Sequence, residues 1–290
     1  MQSIWAFFVA IWNFILSIIS IKVFPFAWHC RFIYNYIHNC HFIRKSPIPP
    51  STPDCLTLFH PSIYTTLTPI GEMDFFGHKS NSTYLTDLDM ARAVHIWNVF
   101  RVGINDFREK DKERKREQNV NDVEKSRAPQ GPTSGLLGLA MGGTSCSFRK
   151  QIRPGQKYEI WTRVLSWDEK WVYLVSHFVT KAETPAVFVD EKKSQKKKKD
   201  AASESQEPTI HAVSISKFVF KEGRKTVKPY GFVQQCGLMP DDSMTSVQDM
   251  EIKHAIETRR QDGAKLAQSM AALDEGFDFF QEDSVAFARY

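Results

Sequence analysis

The chain has 290 residues, 42% of them hydrophobic and 24% charged, with 14 Gly, 14 Pro and 5 Cys. This length suits one domain with extensions or two domains, and the composition excludes a collagen, a disulfide scaffold and a fully disordered chain. The formal charge of +5 is local: six lysines fall between Lys192 and Lys199, so the rest of the chain carries −1. The composition therefore gives no basic face of the kind a nucleic acid needs. The cysteines (Cys30, Cys40, Cys55, Cys146, Cys236) are scattered without CxxC spacing. They indicate neither a zinc ribbon nor a redox motif, and they suit a reducing compartment.

Residues 1 to 21 hold sixteen apolar side chains and no charged one. As a helix at about 1.5 Å per residue they reach roughly 30 Å, the thickness of a bilayer core. No Lys or Arg precedes the run, no small-x-small cleavage site follows it, and it is too long for the apolar region of a signal peptide. The pattern predicts an uncleaved transmembrane anchor over 1–22. Lys22, Arg31, Arg44 and Lys45 all follow the run, which places the remainder of the chain in the cytosol. Residues 23–59 read as a juxtamembrane segment. Phe24, Phe26, Trp28, Phe32, Tyr34 and Tyr36 form an interfacial belt, and Pro25 argues against a second full span. Pro47, Pro49, Pro50 and Pro53 make a stiff spacer.

Ser62 to Thr68 is β-branched and aromatic, as a strand should be. A turn-rich stretch follows, Pro69 to His78, containing Glu72, Asp74 and Gly77. From Tyr84 to Phe100 the apolar residues Leu85, Leu88, Ala91, Val94, Ile96, Trp97 and Phe100 recur at helical spacing, with Asp87 and Asp89 in the first turns. Asp74 thus lies just ahead of a helix amino end. Free N–H groups there can hold a carbonyl oxygen as it becomes an oxyanion, and a carboxylate beside it can attack the carbonyl or deprotonate a water. Spacing alone favours the plainer reading, in which Glu72 and Asp74 merely cap a turn.

The run Glu72-x-Asp74-x-x-Gly77-His78-x-Ser80-Asn81-x-x-Tyr84-Leu85, followed by Asp89-Met90-Ala91-Arg92-Ala93-Val94-His95, resembles the hotdog-fold thioesterases of the 4-hydroxybenzoyl-CoA type. Within them it is most similar to the branch containing thioesterase superfamily member 6 and its fungal relatives, which share an N-terminal membrane segment. The resemblance covers roughly residues 60 to 235. It implies an α+β hotdog fold, a curved antiparallel sheet around a central helix, and a homodimer or larger oligomer with the ligand at the subunit interface. It also implies Asp74 as nucleophile or general base, with Gly77, His78, Asn81, Ser82 and Tyr84 binding an acyl-CoA substrate. Glu72 and Ser80 depart from the family's usual Asp and Asn. They leave open a non-catalytic acyl-CoA binder or scaffold that kept the fold. The Asp-x-Asn-Pro-x-His motif of the hydratase branch is absent.

Downstream, Gly143 to Phe148, Tyr158 to Ser166, Trp171 to Thr180 and Thr209 to Phe220 read as strands. In the third, Val172, Leu174, Ser176 and Phe178 share one face, and Trp171, Tyr173, Val175, His177 and Val179 the other. The glycines from Gly135 to Gly143 match no phosphate-binding pattern. Lone His95 and His177 read as packed side chains, and no metal or cofactor is called for. Residues 108–131 form a charged helix extension and loop, and residues 190–208, with the lysine tract, a polar loop suited to anionic lipid. Residues 236–290 form a C-terminal helical extension in which Asp242 or Ser243 caps a helix, with a Phe-rich tail. The reading is a membrane-anchored, cytosol-facing thioester hydrolase, placed in the endoplasmic reticulum by the family resemblance.

Overall fold

The computed structural model describes residues 22, 24–39, 51–52, 56–122, 137–180, 208–243, 246–272 and 274. The anchor expected over 1–22 lies, apart from Lys22, outside these residues, as do nearly all of the lysine-tract loop and the Phe-rich tail. Among the described residues no helix is long and apolar enough to cross a membrane.

The elements in chain order are α1 (Ala27–Ile37), β1 (Ser62–Leu67), α2 (Asn81–Val99), α3 (Arg101–Asp122), β2 (Leu137–Phe148) and β3 (Lys157–Trp167). Then follow β4 (Val172–Thr180), β5 (Thr209–Glu222), β6 (Lys225–Val227), α4 (Pro229–Gln235) and α5 (Val247–Ala272). All strand pairs are antiparallel, in the order β1-β3-β4-β5-β2, with β6 beside β5. One long helix against an antiparallel meander of this order is the hotdog arrangement expected from the sequence.

Register explains how α2 comes so close to the sheet. Ser62, Thr162, Ser176, Ser214 and Cys146 pair in one row across β1, β3, β4, β5 and β2. These small side chains leave room for a helix, and they bond to one another or to it. Thr162 and Ser176 hydroxyls lie 2.8 Å apart, and His95 Nδ1 lies 2.9 Å from Ser62 Oγ. Arg92 donates to Ser216 Oγ at 2.7 Å, to Thr144 Oγ1 at 3.1 Å and to Asp89. The Asp89-x-x-Arg92 pair of the motif therefore pins α2 to the sheet. On either side of this polar band the helix enters apolar clusters. Tyr84, Leu88 and Ala91 meet Ile160, Phe178 and Ala212, while Ile96 and Phe100 meet Val164, Leu174 and Phe220.

The two faces of β4 divide as expected. Leu174 and Phe178 pack under α2, whereas Tyr173 joins Leu165, Trp171 and Ile215 beneath α5 residues Ala267 and Met270. At the crossing of α5 with β3, a Cβ at Gly263 would sit 1.9 Å from the Leu165 carbonyl oxygen, so only glycine permits this approach. The cap of α5 is Ser246, not Asp242 or Ser243. Its hydroxyl accepts from Asp249 N–H at 3.1 Å, and Asp249 sits three residues on, where a capping box needs its acid. Asp242 instead accepts from Tyr230 OH and Lys253.

Helix α1 begins two residues after Pro25, where a proline is tolerated. It lies on α2, with Phe32 and Tyr36 edge-on to Trp97 at ring separations of 5.1 and 5.2 Å. Arg31 is its single charged residue and points inward, whereas Phe26, Ile33, Tyr34 and Ile37 are exposed.

Candidate active site

Strand β1 ends at Leu67, and a single 3-10 turn, Ile70–Glu72, leads into a tight loop closed by a bridge between Met73 and Lys79. Asp74 N–H donates to the His78 carbonyl at 2.9 Å, and Gly77 N–H to the Asp74 carbonyl at 3.1 Å. Gly77 adopts φ +80° with open space where a Cβ would stand, so the turn demands glycine for its conformation. Asp74 Oδ1 accepts from the Phe76 and His78 amides at 3.0 and 3.2 Å. One carboxylate oxygen is therefore locked to the loop. Among the described residues Oδ2 receives no hydrogen bond, which leaves it for chemistry.

Ser80 opens α2 without a side-chain bond to the first turn, so the orphan amides at this helix start are not taken by a cap. Asn81 and Ser82 are exposed at that start, His78 and Gly77 are half-buried above it, and Ser80 and Ser82 hydroxyls lie 3.1 Å apart. These four expected residues gather around Asp74 and the helix terminus. Tyr84 does not join them at the surface. It is 2% exposed, its ring packed against Phe148 and Phe178, each 5.0 Å away, and burial pushes its hydroxyl up to about 12. Two apolar side chains flank the acid in the open, Phe75 (92% exposed) and Phe76 (72%), their rings 4.4 Å apart.

Beneath the loop lies a charged cluster that the sequence did not announce. Asp87, fully buried on α2, accepts from Lys22 at 2.7 Å, Lys79 at 3.0 Å, Arg31 at 2.9 Å and Tyr158 OH. Glu72, also buried, pairs with Lys79 and with Lys22 at 3.1 Å. Burial alone would raise Asp87; the Lys22 and Lys79 ammonium groups outweigh it and hold its carboxyl well below the usual carboxylate range. The Tyr158 hydroxyl is driven far up by burial and then by Asp87, so it stays a donor. The readable signal for Asp87 was its place on the stripe Tyr84, Asp87, Leu88, Ala91, the inward face of α2. Nothing local marks Lys22 or Arg31, whose partner lies 65 and 56 residues away.

The family model described as thioesterase-like superfamily matches residues 68–213. Thioesterase poxG of Penicillium oxalicum is 33% identical over 272 residues, covering 91% of this chain and 84% of that protein. Protein THEM6 of Danio rerio is 29% identical over 112 residues, covering 39% of this chain and 42% of its own length. A crystal structure of a 4-hydroxybenzoyl-CoA thioesterase mutant in complex with 4-hydroxybenzoyl-CoA aligns with a TM-score of 0.38 at 13% identity, covering 61% of this chain and 99% of that one. By the matched span and by its likeness to the Penicillium enzyme, the chain belongs to the thioesterase-like superfamily.

Proposed function

We propose that this protein hydrolyses acyl-CoA thioesters with Asp74 as the reacting carboxylate. Thioester hydrolysis is the chemistry of its family; the assignment to Asp74 rests on one observation. Its Oδ1 is fixed by two loop amides at the uncapped start of a buried helix, while Oδ2 receives no hydrogen bond among the described residues. A thioester carbonyl placed over the first turn of α2 would meet the Asn81 and Ser82 amides, whose partial positive charge stabilises the oxyanion as it forms. Asp74 Oδ2 then either takes a proton from a water that attacks the carbonyl carbon, or attacks that carbon itself to form an acyl-aspartyl anhydride that a water afterwards hydrolyses. In both routes the C–S bond breaks and the CoA thiolate leaves. His78 borders the mouth. Tyr84 supports the helix from below rather than touching the acyl group.

The working unit in this reading is a homodimer. Strand β2 is an edge strand of twelve residues with no charged residue and no proline, and its Leu139 and Met141 are exposed. Such an edge invites a second strand, and a second copy of β2 is the occupant that closes it. The membrane reading rests on the apolar run 1–21 and on the exposed, acid-free aromatic face of α1 beside it. A cytosol-facing position on the endoplasmic reticulum, and lipid-derived acyl groups as substrates, complete the proposal.

The test is free-thiol release from a panel of acyl-CoAs by wild type and Asp74→Asn. Asparagine keeps an oxygen for the Phe76 and His78 amides and loses only the charge, so the loop persists. Turnover should fall by about 100-fold or more. Equal turnover in both proteins would move the acid elsewhere. Saturable acyl-CoA binding by a wild type that never releases thiol would make this a binding protein.

A further inference from the structure

The cluster below the catalytic loop is closed by residues from outside the sheet. The Lys22 ammonium has three N–H donors, and it uses them on three elements that frame the site. It donates to the Leu67 carbonyl at the end of β1 (3.0 Å), to Glu72 at the base of the loop, and to Asp87 on α2 (2.7 Å). Arg31 holds the other Asp87 oxygen and Tyr64 OH, at 2.9 and 3.2 Å. Glu72 and Lys79 are the two posts of the loop that carries Asp74. They pair with each other, Met73 bridges Lys79, and the Glu72 carbonyl accepts from Ser80 N–H at 2.8 Å.

We infer that the N-terminal arm, Lys22 to Ile37, is a clamp on the catalytic loop, with Lys22 a positioning residue that acts through Glu72 on Asp74. With Lys22 and Arg31 withdrawn, Glu72 and Asp87 would share Lys79 as their one cation in the cluster. A buried carboxylate short of its partner draws in water or a proton, and the posts of the loop separate. The hotdog sheet and α2 do not need the arm to form their apolar clusters; the loop needs it to keep its charges matched. The effect on turnover rests on the Asp74 reading. The effect on the loop does not.

The experiment uses the full-length chain, comparing wild type with Lys22→Met and Lys22→Arg. Hydrogen exchange is followed by mass spectrometry on the peptide spanning residues 72–79, beside kcat and KM for the best acyl-CoA. Lys22→Met should speed exchange of that peptide by about tenfold or more while strands β3 and β4 keep wild-type exchange. It should lower kcat by about tenfold with KM within about threefold, and Lys22→Arg should restore both to within about threefold. The clamp is refuted by wild-type exchange in the loop with kcat within about twofold, or by acceleration spread evenly over the whole chain. Should Lys22→Met not accumulate as folded protein, Lys22→Gln, which loses the charge and keeps a polar end, is read the same way. Normal turnover by Asp74→Asn, with the loop still loosened by Lys22→Met, would sink the Asp74 assignment and leave the clamp standing.

Discussion

At the scale of single residues, the imidazole of His95 offers the clearest link between position and pH. Burial, and then the Arg163 guanidinium, bring it down to about 3, and its Nδ1 is engaged with Ser62 Oγ at 2.9 Å. The folded protein therefore keeps it neutral, while the unfolded chain protonates it near 6.5. A base depressed in this way contributes stability that is complete above about 6.5 and is lost as pH falls toward the folded value. At pH 5 the loss from this one group is about 2 kcal/mol. Urea unfolding of wild type against His95→Gln at pH 7 and pH 5 should show a pH dependence smaller by that amount in the variant. Equal slopes would mean that His95 titrates normally. His95 read from sequence as a packed side chain, because a lone histidine with no cluster at metal-ligand spacing more often packs than binds a metal. Asp74 was singled out by the family resemblance rather than by spacing, because local turn chemistry marks the loop around it, and a carboxylate in a turn reads first as a cap. The sequence did not show that Lys79, Asp87 and Tyr158 meet under that loop. Charges that neutralise one another across dozens of residues look, in a linear chain, like ordinary solvated ones.

At the scale of elements, the same contrast separates α2 from α5. The inward stripe of α2 mixes Leu88, Ala91 and Ile96 with Asp87, Arg92 and His95, so a search for apolar periodicity finds the helix but misreads its face. Leu85, counted as apolar in that pattern, is 40% exposed, while buried Arg92 holds two strands. Helix α5 was legible as a helix and its start was not, because Ser246 caps it through a bond to Asp249 that competes on equal terms with the acidic turn before it. Its docking was invisible, since one glycine decides it. With the Leu165 carbonyl 1.9 Å from the site of a Cβ, Gly263→Leu must push α5 away from β3 and loosen Ala267 and Met270 over Tyr173. Overpacking of this kind costs about 1–3 kcal/mol, and a loss at or beyond the upper end is expected here because backbone is the obstacle. Thermal unfolding should show a midpoint lower by several degrees, with the loop around Asp74 unchanged in hydrogen exchange. A variant as stable as wild type would mean that α5 does not pack on the sheet at Gly263.

At the scale of the whole molecule, the described sheet ends in two edge strands, and the proposed homodimer would close one of them. Strand β1 is short, six residues, with Ile63 and Leu67 exposed; β2 is twice as long and carries exposed Leu139 and Met141. An antiparallel pair of β2 strands would run two curved sheets into one and cover more backbone than β1 could, so the association is expected at β2. A lysine on an edge strand is a common guard against pairing. Met141→Lys puts one in the middle of β2, and Thr65→Lys puts one on β1 as a control. Light scattering on purified protein should find wild type and Thr65→Lys dimeric and Met141→Lys monomeric, with circular dichroism unchanged in all three. In the proposed homodimer the ligand lies between subunits, so thiol release should fall with the dimer, although residue 141 belongs to neither the Asp74 loop nor the start of α2. A monomer that still turned over at the wild-type rate would separate the site from the interface. Dissociation by Thr65→Lys instead would move the interface to β1. Which strand lies at an edge was the part least open to reading from sequence, because an edge differs from an inner strand only in what the rest of the sheet leaves unpaired.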